Sequence, residues 1–120
     1  MTRYASGRRK EWDACKRLRA AGWDAQRSAG SRGLWDVVAV KRGQRPRFIQ
    51  CKYTAAVSCY SVNPPASIID ANARALLALE GDDETPIEVE LWVYHRGYSE
   101  PWVYTAWQGA WTVDSARAWA

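Results

Sequence analysis

Three polar side chains interrupt two apolar runs of the sequence, where burial would make them costly. Asp36 lies within residues 34–40, and Gln50 and Lys52 lie within residues 48–53. A charge inside a buried strand costs several kcal/mol unless it is paired or binds something. A carboxylate and an amide oxygen are hard ligands suited to Mg²⁺ or Mn²⁺. A lysine can hold a scissile phosphate or lower the pKa of an attacking water.

Strand geometry predicts that these three side chains converge. Both apolar runs are bounded by Gly and Pro, which is typical of buried strands. Side chains alternate along a strand, so Gln50 and Lys52 share one face. The turn at residues 41–46 is short enough for a hairpin, which would bring Asp36 beside them. We expect a patch of one carboxylate, one amide oxygen and one ammonium.

An upstream segment, residues 7–21, is predicted to form a helix that carries a further acid. Glu11 lies at the edge of an apolar stripe that includes Cys15 and Leu18 at helical spacing. It could therefore face the sheet. Taken alone, the helix favours a solvated Glu11 paired with a nearby arginine.

Asp36, a spacer of about a dozen residues, and then Gln50-Cys51-Lys52 resembles the core motif of the PD-(D/E)xK nuclease superfamily. The fuller context is a glutamate helix, then RSAGSRGLWDVVAV, then FIQCKY. This order is similar to that of the archaeal-type (Hjc-like) Holliday junction resolvases and their phage relatives. The resemblance covers residues 7–53 well and the rest of the chain in outline.

The resemblance implies a divalent-metal site and a role for each of its residues. Glu11, Asp36 and Gln50 would bind Mg²⁺, or Mn²⁺, together with the backbone carbonyl of Cys51. Lys52 would position or activate the attacking water. The implied activity is a structure-selective DNA endonuclease that resolves four-way junctions by paired nicks, in DNA recombination and repair.

Basic residues are concentrated in the first half of the chain. Residues 1–52 hold 14 Lys/Arg against 4 Asp/Glu, or +10, whereas residues 53–120 hold 3 against 9, or −6. This asymmetry indicates a polyanion-binding face on the first half. The predicted DNA contacts are Arg8, Arg9, Lys10, Arg27 and Arg32. The resemblance adds Ser31 as a catalytic residue near the cut phosphate and Ser28, the second candidate in that loop, as a DNA contact.

Two positions depart from the family pattern. Trp35 stands where many superfamily members have Pro before the catalytic Asp36, a frequent replacement. Gln50 stands where most resolvases of this type have Glu, so the site would hold two carboxylates instead of three. Mrr-like restriction enzymes commonly carry Gln there, so the substitution is compatible with activity.

The remaining elements predict an α/β fold with a mixed central β-sheet flanked by helices, a restriction-endonuclease-like core in one nuclease domain, 1–120. The expected order is α-β-β-β-α-β-β. Its elements are a first helix capped by Ser6 and stopped by Gly22, strands at 23–28, 34–40 and 48–53, a helix at 68–80 capped by Asn63 or Ser67, a strand with one buried face at 86–95, and a strand at 102–107, with an ambiguous tail.

Composition limits the setting and the partners. Three cysteines without metal-type spacing indicate free thiols in a reducing cytoplasm, which the resemblance implies to be that of a prokaryotic or phage-infected cell. No apolar run is long enough for a membrane span, and no signal peptide is recognisable. Five of the eight tryptophans lie at positions 92–119. Because Trp is enriched at interfaces and the resemblance implies a two-fold dimer, they favour a homodimer contact through the second half; the alternative is that they fill the core. The partner implied is branched DNA.

Three alternatives stay open. The first is an Mrr-like restriction or repair nuclease with the same core. The second is a catalytically silent nucleic-acid-binding module, which Gln50 makes conceivable. The third is a metal-independent RNA endonuclease, which would need a His/Tyr/Lys set, although His95 is the one histidine and is expected to be structural.

Overall fold

A computed structural model describes residues 3–28, 33–54, 64, 68–79, 86–97, 99–107 and 109–113, including their side chains except in 3–7 and at 107. Its elements are α1 (Arg3–Ala20), β1 (Asp24–Arg27), β2 (Val37–Val40), β3 (Arg47–Thr54), α2 (Ala71–Leu77), β4 (Glu88–His95), β5 (Trp102–Trp107) and β6 (Ala110–Val113). No helix among these residues is both long and apolar enough to cross a membrane.

The six strands form one mixed sheet in chain order, β1 to β6. Strands β3 and β4 pair in parallel, and the other neighbours pair antiparallel. The predicted hairpin is confirmed, since β2 and β3 pair with Val37 opposite Ile49. Gly43 supplies the positive φ of +82° in its turn. The predicted α/β class and mixed sheet are therefore confirmed.

Helix α1 covers one face of the sheet. Its Cys15 and Leu18 pack with Ala25, Ile49 and Trp92 in one buried cluster. The predicted Ser6 cap is wrong, because the helix begins at Arg3 and Ser6 lies inside it. The predicted stop is confirmed: Gly22 has φ +94°, and its amide donates to the Arg19 carbonyl at 3.0 Å.

The short helix α2 lies over the other face. Leu76 packs there against Val89, Leu91 and Tyr104. The helix is shorter than the predicted 68–80, because Asp70 is its N-cap and its side chain accepts a hydrogen bond from the Ala73 amide at 2.9 Å. The predicted caps Asn63 and Ser67 lie outside the described residues.

Strand β4 is buried on both faces, which corrects the expectation of one buried face. Residues 89–95 are all buried, because α1 covers one side of the sheet and α2 the other. Glu90 is fully buried and is paired with the equally buried Arg47. The charged residue in this alternating pattern is therefore buried against a partner that is distant in sequence, and its face of the strand is not solvated.

The tail contributes a sixth strand, β6, which the sequence left ambiguous. Its Trp111 is 4% exposed, and Trp92 of β4 is fully buried. These two tryptophans therefore fill the two cores, as the alternative expected, and are not available for the predicted homodimer contact. Trp119 and the Trp107 side chain lie outside the description.

Candidate active site

Asp36 is fixed at the point where β1, β2 and β3 come together. Its amide donates to the Ile49 carbonyl at 2.8 Å, and its carbonyl accepts from the Ser28 amide at 2.7 Å. Its Oδ2 accepts a hydrogen bond from the Cys51 amide at 2.8 Å. The carboxylate therefore occupies the edge of β3 just beyond the residues that pair with β2. Since a strand residue directs its N–H and C=O to the same side, the Cys51 carbonyl faces this edge too.

Gln50 is nearly buried and is only half satisfied. It is 4% exposed, and its Nε2 donates to the Leu34 carbonyl at 3.1 Å. Its Oε1 is buried and finds no hydrogen-bond partner among the described residues. Reversing the amide would set two acceptors against each other, so the contact with Leu34 fixes which atom is left open. A bound cation would take this buried oxygen as a ligand.

Glu11 approaches from the α1 side and is close enough to Asp36 for the two carboxylates to repel. It is 9% exposed, and its Oε1 lies 3.4 Å from Arg27 Nε without hydrogen-bond geometry. Burial, and then repulsion by Asp36, raise the pKa of Glu11, although Arg27 partly opposes this. The sequence alone favoured a solvated, arginine-paired glutamate; the structure confirms the arginine and excludes the solvation.

Burial also raises the pKa of Asp36, while the Cys51 amide and Lys52 lower it in part. Both carboxylates thus hold their protons more tightly than free carboxyl groups do. Taking buried carboxylates out of water disfavours their charge, and a cation between them would restore it. The donor set, two carboxylates and an amide oxygen, fits a hard divalent cation such as Mg²⁺ or Mn²⁺.

This set has fewer acids than a complete acidic metal cluster. In the described ranges, no three His, Cys, Asp or Glu side chains come together to hold a metal. The third side-chain oxygen would have to come from Gln50, as the sequence predicted. A cation site built from these residues would therefore hold two carboxylates.

Lys52 makes a contact that the sequence did not predict. Gln50 and Lys52 share the α2 face with Phe48, whereas Ile49 and Cys51 pack toward α1. On that face the Lys52 ammonium forms an ion pair with Asp70 Oδ2, so Asp70 both caps α2 and holds Lys52. The available signal was an aspartate before ANARALL, a strong N-cap type.

The predicted DNA-binding residues differ in their surroundings. Arg8 and Arg9 are exposed on α1, on the side of the sheet that also carries Glu11. Lys10 lies over the Tyr53 ring at 5.1 Å, and Arg27 is held between Glu11 and the Trp12 ring. Of the others, Ser28 bonds to Asp36 through its backbone, and Ser31 and Arg32 lie outside the described residues.

Comparison with known proteins identifies a fold. No family model matches this chain, and no curated protein matches its sequence. Among solved structures, the chain is similar to Hjc, a Holliday junction resolvase of the archaeal hyperthermophile Archaeoglobus fulgidus. The TM-score is 0.59 at 19% identity, over 94% of this chain and 87% of that chain. This chain has the α/β fold of that resolvase.

Proposed function

We propose that this protein is a structure-selective DNA endonuclease that resolves four-way junctions by paired phosphodiester nicks and depends on a divalent cation. The carrying observation is the buried Gln50 Oε1, which the described residues leave without a donor, in the middle of β3 next to Cys51, whose amide binds Asp36. Leaving a buried acceptor unsatisfied costs about 1–3 kcal/mol, and a cation would recover that loss. The fold shared with Hjc supports the choice of reaction.

Each residue of the site has a task in this proposal. Glu11, Asp36, Gln50 and the Cys51 carbonyl would hold the cation, and the Cys51 amide keeps the Asp36 carboxylate in place. When bound, Mg²⁺ or Mn²⁺ would polarise the scissile phosphate and lower the pKa of the attacking water. Lys52 would orient that water or the phosphate, and the loop residue Ser31 would contact the phosphate beside the cut.

The DNA would be held through its phosphates, which accounts for selection by shape. Arg8 and Arg9 are exposed on α1 and would contact the DNA backbone, together with Arg32 of the same basic half. Phosphate contacts position the DNA and carry no sequence information directly. Two symmetric cuts call for two sites, so we propose a homodimer. A monomeric mass at micromolar concentration would contradict it.

A silent nucleic-acid-binding module is the second candidate. Two observations favour it: the site holds two carboxylates, and Lys52 is engaged by Asp70. Such a module would bind branched DNA with or without a cation and would leave it intact. A restriction or repair nuclease of the same fold would instead cut plain duplex.

Cleavage of a labelled four-way junction beside a duplex of the same sequence, in Mg²⁺ and in EDTA, separates these functions. Paired, cation-dependent nicks with the duplex spared support the resolvase. Duplex cutting would move the assignment to a restriction or repair nuclease. Binding without cutting, in Mg²⁺ and in Mn²⁺, would favour the silent module.

A further inference from the structure

Two exposed aromatic rings, Trp12 and Tyr53, are connected to the surroundings of Glu11 by cations that lie over them. Three large apolar side chains of the described residues are substantially exposed: Trp12 by 51%, Tyr53 by 48% and Val40 by 47%. Trp12 follows Glu11 in α1, and Tyr53 lies on the α1 face of β3, the face opposite to that of Lys52. Single exposed apolar side chains are common. The argument therefore depends on where these two lie, and not on their exposure.

Cations hold each ring. The Arg27 guanidinium lies 5.3 Å from the centre of the Trp12 ring, and Arg19 lies 6.0 Å from it. The Lys10 ammonium lies 5.1 Å from the centre of the Tyr53 ring. Cations within about 6 Å of a ring are attracted to its face. Each ring is thus restrained by a positive charge suited to a neighbouring phosphate.

The two rings lie on opposite sides of Glu11, one toward β3 and β4 and the other toward β1. Lys10, Glu11 and Trp12 are consecutive in α1. Lys10 reaches the ends of β3 and β4, where it lies over both Tyr53 and its register partner Tyr94. Trp12, in contrast, reaches Arg27 at the end of β1. A nucleic-acid strand that crosses the site would pass one ring on each side.

We propose that Trp12 and Tyr53 are stacking platforms for bases that are unstacked at the branch point of the DNA. An aromatic face accepts any base, so such contacts tolerate all sequences. In a continuous duplex the neighbouring pairs cover the base faces, whereas a branch point interrupts that stack. The platforms would therefore select branched over linear DNA. This inference rests on the proposed function, since it names what the same site holds.

The test is equilibrium binding of a labelled four-way junction and a matched duplex in EDTA, where cutting plays no part. Trp12→Ala and Tyr53→Ala are each expected to weaken junction binding about tenfold and to leave duplex binding unchanged. Trp12→Phe and Tyr53→Phe keep a ring and should bind as the parent does. Val40→Ala is the matched control, because Val40 is exposed to a similar degree and lies at the end of β2 that is farther from Asp36.

A base analogue at the branch point gives a second readout. Fluorescence of 2-aminopurine placed there should be quenched by the parent protein, and less so by the Ala variants. Equal weakening for junction and duplex would overturn the proposal, because the rings would then only support Lys10 and Arg27. Unchanged junction binding would overturn it as well. If an Ala variant does not fold, the corresponding Leu variant, which keeps apolar bulk without a ring, decides by the same criteria.

This test is separable from that of the proposed function. A parent protein that prefers junctions but does not cut in Mg²⁺ contradicts the endonuclease and leaves the platform comparison valid. A parent protein that binds junction and duplex equally overturns the platforms, whether or not it cuts.

Discussion

Strand β3 carries two buried polar regions that are built in opposite ways. At its start, Arg47 donates to Glu90 through two hydrogen bonds of 2.6 and 2.7 Å, and both side chains are fully buried. Trp92 Nε1 adds a third donor to Glu90 at 3.0 Å. Three residues after Arg47, Gln50 buries an oxygen that no described residue satisfies. The closed region, Arg47 with Glu90 and Trp92, has its hydrogen-bond partners within the protein. The open region, Gln50 with Glu11 and Asp36, does not.

The first region contributes to stability, whereas the second is the candidate functional site. A fully hydrogen-bonded buried pair needs nothing further, and breaking it leaves an uncompensated charge. The site instead holds two carboxylates whose pKa values burial raises. In the proposed function a cation would complete this arrangement, and the stability that the protein forgoes without it would become affinity for the cation. Each region should therefore respond differently to substitution.

Breaking the closed region should give the largest effect. Glu90→Leu leaves Arg47 charged and buried, so the free energy of unfolding should fall by about 3–5 kcal/mol. Arg47→Met combined with Glu90→Leu removes both charges and should recover most of that loss. Urea denaturation measures both. A double variant as unstable as the single one would mean that packing, and not charge, governs this region.

Neutralising the open region should remove activity without harming the fold. Asp36→Asn can still accept the Cys51 amide, so its structure should persist while junction cutting falls more than about a hundredfold. Glu11→Gln should behave likewise. Cutting rates and binding in EDTA are the measurements. Lost junction binding by Asp36→Asn would instead make Asp36 a structural residue.

The pH dependence of the open region follows from the raised pKa values of Glu11 and Asp36. The folded state holds these protons more tightly than the unfolded state does. Their stabilising contribution is therefore present at low pH and is lost as pH rises through the folded-state values. Cutting needs both groups ionised, so it should rise over the same range.

Thermal unfolding between pH 3 and 8 checks this sign. Relative to the parent, a protein with Glu11→Gln and Asp36→Asn should gain stability as pH increases. A divalent cation should raise the Tm of the parent alone, and more at neutral than at acidic pH. The same cation effect in both proteins would place the cation elsewhere.

Gln50→Glu sharpens the comparison by adding a third carboxylate to the open region. The variant should be less stable in EDTA, because one more charge is buried, and should bind Mg²⁺ or Mn²⁺ about tenfold more tightly. Gln44→Glu, in the exposed turn before β3, is the matched control. The measurement is the Tm as a function of cation concentration. Equal responses of the two variants would remove Gln50 from the cation site.

The position of Asp36 beside β3, where its carboxylate accepts from the Cys51 amide, was predictable because it depends on local quantities. Strand period and turn length set the register of β2 on β3, and the structure has that register. The family resemblance supplied the roles. Glu90 was misjudged because its partner Arg47 lies 43 residues away, in a parallel neighbour that period-two patterning does not reveal.

Glu11 and its surroundings were only partly predictable. Helical spacing placed Glu11 at the edge of the buried stripe, and the structure buries it. Its contact with Arg27, however, depends on how α1 crosses β1. Likewise, the pairing of Asp70 with Lys52 depends on the path of the chain after β3, which no local pattern specifies.

Asp70→Asn should give the smallest effect. It removes the negative charge that the N-cap of α2 places beside Lys52. Asn keeps the cap on the Ala73 amide, and the ion pair is half exposed at Asp70, so stability should fall by less than about 1 kcal/mol. Burial raises the pKa of Asp70, but the hydrogen bonds from Lys52 and the Ala73 amide outweigh it and lower the pKa overall. This stability is thus present above the usual pKa and is lost as pH falls through the folded-state value.

The effect of Asp70→Asn on cutting decides what the ion pair does. If Asp70 positions Lys52, cutting should fall several-fold while junction binding holds. Asp13→Asn is the control, because it breaks the comparable pair with Arg17 on α1. A rise in cutting would mean that Asp70 competes with the phosphate for Lys52. The ion pair with Asp70 would then keep Lys52 from the phosphate until bound DNA displaces it.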